Sequence, residues 1–136
     1  MRIDILTLFP EICRAPLGVS MMKRAQECGV LNLQIHDLRK WTTDKHHVVD
    51  DAPFGGGQGM VMKAEPIFKA VESLQKEGST VIAMTPQGRR FHQECAREFS
   101  QRDHLIIICG HYEGIDHRVI EHIVDAEISI GDIFPQ

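Results

Sequence analysis

Little in this chain announces a chemistry by itself. Its 136 residues include four cysteines, one tryptophan and one tyrosine. Cys13, Cys28, Cys95 and Cys109 show no CxxC spacing, which argues against a zinc ribbon or a thioredoxin-type redox motif. Reduced, partly buried thiols in a cytosolic protein are the expectation. Basic charge is not in excess. Nineteen acidic against fifteen basic residues leave a net charge of −4, so no global feature points to nucleic acid. A local basic patch or a further domain would have to supply any phosphate contacts. No apolar run is long enough to span a membrane, and Asp4 and Pro10 make the N-terminus a strand rather than a signal peptide. Neither an HExxH pair nor a GxSxG elbow is present.

What is present is ordinary for a single globular domain. With 43% hydrophobic and 25% charged residues, 136 residues can bury a core without disulfide or metal staples. Strand and helix patterns alternate along the chain. Ile3 to Phe9 reads as a strand ended by Pro10, and Glu11 to Glu27 as helical segments broken around Pro16-Leu17-Gly18 and closed by Gly29. Val30 to Leu38 alternates apolar and polar residues with the strand period. Trp41 to Gly59 has no period and is rich in Asp, His and Gly, a long loop of the kind that is often functional. Glu65 to Glu77 is predicted as a helix with Ile67, Phe68, Ala70, Val71 and Leu74 on one face, stopped by Gly78. Thr80 to Met84 is a strand, Phe91 to Phe99 a helical face, and Leu105 to Cys109 another strand. Thr80 to Cys109 is therefore a strand–helix–strand unit with parallel strands and a right-handed crossover.

The most informative stretch is Ile106-Ile-Ile-Cys-Gly-His-Tyr-Glu-Gly114. Three adjacent isoleucines leave no polar face, so the strand is buried on both sides. Gly110 then allows a sharp turn or close approach of a ligand. Thr85-Pro86-Gln87-Gly88 follows the neighbouring strand, and Ile128-Ser129-Ile130-Gly131-Asp132 looks like a third strand exit. Ligands of open α/β sheets bind outside the carboxyl ends of the strands. Loops at one sheet edge would form a cleft where backbone groups recognise an adenine or amino-acid moiety. The alternative is three ordinary turns. Gly88, Gly110 and Gly131 are expected near one edge.

Two further constellations are weaker. Asp50-Asp-Ala-Pro-Phe-Gly-Gly-Gly-Gln-Gly-Met60 lacks the lysine and hydroxyl residue of a P-loop and is not followed directly by a helix period. It reads either as a flexible lid or as bare backbone for a planar base. His46, His47, Asp50 and Asp51 crowd one loop, and His117 with Glu121 stands at i,i+4. Their spacing does not suit a shared metal ion, and a solvated polar surface is the favoured reading.

Met1-Arg-Ile-Asp-Ile-Leu-Thr-Leu-Phe-Pro10, Val49-Asp-Asp-Ala-Pro-Phe-Gly-Gly-Gly-Gln-Gly-Met-Val-Met62, Thr85-Pro-Gln-Gly-Arg89, Cys109-Gly-His-Tyr-Glu-Gly-Ile-Asp-His-Arg118 and Ser129-Ile-Gly-Asp132 occur in this order. Together they resemble the bacterial tRNA (guanine-N1)-methyltransferase family of the trefoil-knot (SPOUT) class. The resemblance runs from Met1 to Asp132. It implies an α/β fold with a mainly parallel sheet flanked by helices, S-adenosylmethionine as methyl donor, and the tRNA guanine 3′ of the anticodon as acceptor. It further implies a homodimer with the active site between subunits.

Carried over by position, the family's methionine-adenosyl pocket falls on Met84, Thr85, Pro86, Gly110, Glu113, Ser129, Ile130, Gly131 and Asp132. Gly55, Gly56, Gly57 and Gly59 match the loop that lies against the target base. Glu113 would favour the sulfonium or hold its loop by hydrogen bonds. After Asp132 the family continues with an aromatic residue, apolar residues and a Gly-Gly pair, whereas this sequence ends Ile133-Phe134-Pro135-Gln136. Residues 1–136 are therefore expected to be one truncated methyltransferase domain with an incomplete knot and no C-terminal RNA-binding domain. The family's aspartate base and its arginine partner would lie past Gln136, so no catalytic residue is assigned. The chain by itself is not expected to methylate tRNA appreciably. Two readings stay open, an RNA methyltransferase and a noncatalytic remnant or assembly partner that keeps part of the cofactor pocket. A nucleotide-binding module of unrelated function is a distant third.

Overall fold

A computed structural model of the protein describes residues 1–42, 50–51, 61–110 and 114–131. Its centre is a five-stranded sheet in the order β2-β1-β6-β5-β7. The strands are β1 (Arg2–Thr7), β2 (Asn32–Asp37), β5 (Thr80–Arg90), β6 (His104–Cys109) and β7 (Ala126–Ser129). Every pairing in it is parallel. A separate antiparallel pair joins β3 (Asp50–Asp51) to β4 (Val61–Met62). The helices are α1 (Pro10–Leu17), α2 (Ser20–Glu27), α3 (Ala64–Leu74), α4 (Gln93–Ser100) and α5 (His117–His122). The expected α/β class, a parallel sheet flanked by helices, is the class found.

Local signals explain most element ends. Gly18 caps α1 just where the Pro16-Leu17-Gly18 break was expected, and Gly29 after α2 has φ 79°, a conformation that favours glycine. Asp116 caps α5, its carboxylate accepting from the Arg118 backbone N–H. The Arg118 guanidinium holds the Asp116 carboxyl below the usual aspartate range, against an opposing effect of burial. A short 3₁₀ turn at Leu38–Trp41, not anticipated from the pattern, follows β2, with the Asp37 side chain accepting from Arg39 N–H. Most of the long loop between Trp41 and Gly59 lies outside the described residues.

The two faces of the sheet are covered differently. On one, Leu6, Val81, Ile106 and Ile108 pack with Ile67, Ala70 and Val71 of α3 and Val119 of α5. Ile67, Ala70 and Val71 are buried, with Phe68 and Leu74 packed partly buried beside them, which is the face of α3 that the helical period predicted. On the other face, Ile82, Leu105 and Ile128 pack with Cys95 and Phe99 of α4. The middle strand β6 is thus enclosed from both sides, as its isoleucine run required. Among the described residues no helix is long and apolar enough to cross a membrane.

One buried charge stands out on the first face. Asp4 is fully buried on β1, yet its carboxylate accepts from four donors. Arg2 reaches it through Nε at 2.9 Å and Nη2 at 3.2 Å. His36 Nε2 of β2 and His104 Nε2 of β6 each lie 2.7 Å away. In the parallel register Leu6 pairs with His36 and Arg2 with His104, so both histidines are diagonal neighbours of Asp4. His104 turns its Nδ1 to Ser79 Oγ at 2.6 Å, and Ser79 Oγ also accepts from Lys76 N–H at 2.9 Å. With Nε2 on the carboxylate and Nδ1 on the Ser79 hydroxyl, both ring nitrogens of His104 have partners. Burial pushes the Asp4 carboxyl up, but the hydrogen bonds from Arg2, His36 and His104 outweigh it and leave the group below its ordinary value.

Candidate functional site

The carboxyl ends of β6 and β7 meet the Met84–Pro86 stretch of β5 in one place because the three strands are neighbours and parallel. Met84 pairs with Cys109 on one side and with Ile128 on the other, which aligns the three exits. A cleft of about 400 Å³ opens there, lined by Met84, Thr85, Pro86, Cys109, Gly110, Ile128, Ser129, Ile130 and Gly131. Of the residues singled out from sequence, Met84, Thr85, Pro86, Gly110, Ser129, Ile130 and Gly131 come together here. Glu113 and Asp132, and Gly55, Gly56, Gly57 and Gly59 of the glycine-rich loop, lie outside the described residues.

Gly88 is the expected edge glycine that does not line the cleft. The Thr85 to Gly88 segment is not a simple exit loop, because β5 resumes pairing beyond it. Both Met84 and Arg89 pair with Ile128, and Arg90 pairs with Ser129. Residues 85–88 are thus an excursion that leaves β7 and returns to the same point. Gly88 lies where a Cβ would stand 2.5 Å from the Glu127 carbonyl carbon and from Ile128 N. No side chain fits between the two backbones. The Phe91 N–H then donates to Ser129 O at 2.7 Å and seals the return.

The polar side chains of the cleft are already engaged within the protein. Thr85 Oγ1 donates to Glu127 Oε2 at 3.0 Å, and Ser129 Oγ donates to Gly131 O at 2.7 Å while receiving Gly131 N–H at 3.2 Å. These hydroxyls shape the walls. The rest of the lining is apolar side chain and backbone, the composition that suits a flat or apolar ligand held by main-chain hydrogen bonds. Gly110 sits tightly as well, since a Cβ there would be 3.1 Å from the Met84 carbonyl oxygen and 3.6 Å from Ile115 Cγ1. Burial, followed by the nearby Cys13 thiol, pushes the Cys109 thiol up to about 12. Cys109 is therefore a packed thiol at neutral pH, with negligible nucleophilic character.

Cys109 and Ile128 line the cleft, although the sequence motifs that contain them did not assign them to the pocket. Their strand alternation carried the signal, because the residue before Gly110 and the one before Ser129 must flank any cleft at those exits. Glu127 was also missed, since it touches the cleft only through Thr85. His117 and Glu121 form an exposed pair at 3.1 Å on α5, away from the cleft lining.

Fold and cleft define an α/β domain with a parallel sheet and an open cleft where strand exits meet. The family model described as tRNA (Guanine-1)-methyltransferase TrmD matches residues 1–134, and the chain belongs to that family. It is 59% identical over 132 residues to the tRNA (guanine-N(1)-)-methyltransferase of Carboxydothermus hydrogenoformans, covering 97% of this chain and 52% of that protein. The like-named protein of Chloroflexus aggregans is 54% identical over 135 residues, covering 97% and 53%. That of Staphylococcus epidermidis is 52% identical over 133 residues, covering 97% and 54%. The chain spans about half the length of these curated relatives.

Proposed function

We propose that this chain is the donor-binding part of an S-adenosylmethionine-dependent enzyme that methylates guanine N1 of tRNA on the 3′ side of the anticodon. The convergence of residues 84–86, 110 and 128–131 in one cleft carries this reading, together with membership of the family. Met84, Pro86, Ile128 and Ile130 offer apolar contact to an adenosyl group, and Gly110 and Gly131 let backbone approach it. Glu113 and Asp132 complete the same pocket in this proposal, and Gly55, Gly56, Gly57 and Gly59 face the target base. The enzyme works as a homodimer in the cytoplasm.

The chemistry asked of the site is a methyl transfer from sulfur to nitrogen. A base takes the proton of guanine N1, the ring nitrogen attacks the methyl carbon, and the carbon–sulfur bond breaks to leave S-adenosylhomocysteine. N1 is protonated at neutral pH, so the base is required, and its contribution is about 10²–10⁴-fold. Alignment of the sulfonium methyl with N1 supplies much of the remainder. This chain's contribution is that alignment.

The test is methylation by the longest natural form of the protein. Incubation with unmodified tRNA and labelled donor, followed by digestion to nucleosides, should yield 1-methylguanosine. Label in any other nucleoside overturns the assignment of the acceptor atom. No label, with no heat of binding for S-adenosylhomocysteine, favours the noncatalytic remnant.

A substitution at the cleft gives a second check. Gly110→Val should weaken S-adenosylhomocysteine binding by about tenfold or more, because displacing one recognised backbone group costs roughly that much. The added Cβ asks the Met84 carbonyl oxygen, 3.1 Å away, to give by a few tenths of an ångström, a shift the fold should survive. Calorimetry reads the loss and circular dichroism the fold. Unchanged affinity in a folded variant removes Gly110 from the site.

A further inference from the structure

The excursion of residues 85–88 has a fastening that lies outside the cleft. Glu127 of β7 is half-buried and is not among the residues that line the cavity, yet its carboxylate receives the Thr85 hydroxyl at 3.0 Å. Thr85 is the first residue of the excursion and Gly88 the last. At the far end, Gly88 rests on the Glu127–Ile128 peptide so closely that a Cβ would stand 2.5 Å from it. One short piece of β7 thus grips both ends of a segment that would otherwise be free to move, Pro86 and Gln87 being exposed.

We propose that Glu127 is a positioning residue for the cofactor cleft, acting through Thr85 to hold residues 85–88 against β7. This rests on the reading of the cleft as the S-adenosylmethionine pocket. The hydrogen bond has a chemical consequence besides the mechanical one. A threonine hydroxyl has one proton, and here the carboxylate takes it. Thr85 Oγ1 therefore turns only lone pairs to the cleft, so a ligand group that meets it must be a donor, such as a ribose hydroxyl or the ligand's ammonium. A carboxylate makes this bond stronger than a neutral acceptor would. Glutamine can still accept the proton through its amide oxygen, whereas alanine cannot.

The experiment is a double-mutant cycle with Glu127→Ala, Thr85→Val and the pair, and Glu127→Gln as the conservative variant. S-adenosylhomocysteine is titrated calorimetrically into the longest natural form of the protein. Each single change should weaken binding about tenfold, the double change no more than either alone, and Glu127→Gln should recover most of the affinity. Additive losses, or a glutamine variant as weak as the alanine one, overturn the proposal. Amide exchange supplies a readout that needs no ligand. The Phe91 N–H, bonded to Ser129 O where the excursion closes, should exchange about tenfold faster in Glu127→Ala, while Ile106 to Ile108 stay protected. If the parent protein binds no adenosyl ligand, the reading of the cofactor fails. Phe91 exchange then decides alone, and unchanged exchange overturns the clasp.

Discussion

Asp4→Ala is expected to lower the unfolding free energy by about 1–3 kcal/mol, the usual cost of leaving a buried hydrogen-bond donor unsatisfied. That corresponds to a melting temperature roughly 4–12 °C lower for a domain of this size. Three side chains lose their shared acceptor at once, and His104, only 1% exposed, has no water to replace it. Asp4→Asn should cost less, because its amide oxygen still accepts from Arg2 and one histidine. The effect has a defined dependence on pH. The Asp4 carboxyl lies below its ordinary value in the folded protein. Its contribution is therefore complete above the unfolded aspartate value of about 3.9 and is lost as pH falls through the lower folded value. Denaturant unfolding of parent and alanine variant should differ fully at neutral pH and converge in strong acid. Equal midpoints at neutral pH would contradict the role given to this network.

Gly88→Ala is the second large effect expected. Its single methyl would meet the Glu127–Ile128 peptide at 2.5 Å, and the obstacle is backbone rather than the mobile end of a side chain. Either β7 moves away or the excursion lifts off, at a cost of about 1–3 kcal/mol typical of overpacking. Because β5 is the one strand paired with β7 among the described residues, displacement of β7 should also open the cleft. Thermal melts measure the destabilisation, and the Phe91 amide should lose protection. A variant with the parent's melting temperature and the parent's exchange at Phe91 would show that the two backbones have room to spare.

Much of the fold could be read along the chain because its causes are local. The isoleucines of β6, the apolar stripe of α3, the break at Pro16 to Gly18 and the glycine after α2 each act within a few residues. The exits of β6 and β7 were legible for the same reason, since an apolar run closed by a nearby glycine marks the end of a buried strand. Strand length was less legible. β5 runs to Arg90 rather than stopping at Met84, because its last residues are held by β7 and not by any pattern of their own.

By itself, then, the sequence determined that this is an α/β domain with glycine-bearing strand exits, and its ordered motifs placed it in one methyltransferase family. Only the tertiary structure decided what lies across from what. Asp4 meets His104 a hundred positions away, and Thr85 meets Glu127 forty-two positions away. Both contacts follow from sheet order, in which β1 lies beside β6 and β5 beside β7. Periodicity reports which way a residue faces, and strand order decides which residue it faces. Gly88 shows the difference most plainly. In sequence it is one more turn glycine, and in the folded protein it is the point where two backbones touch.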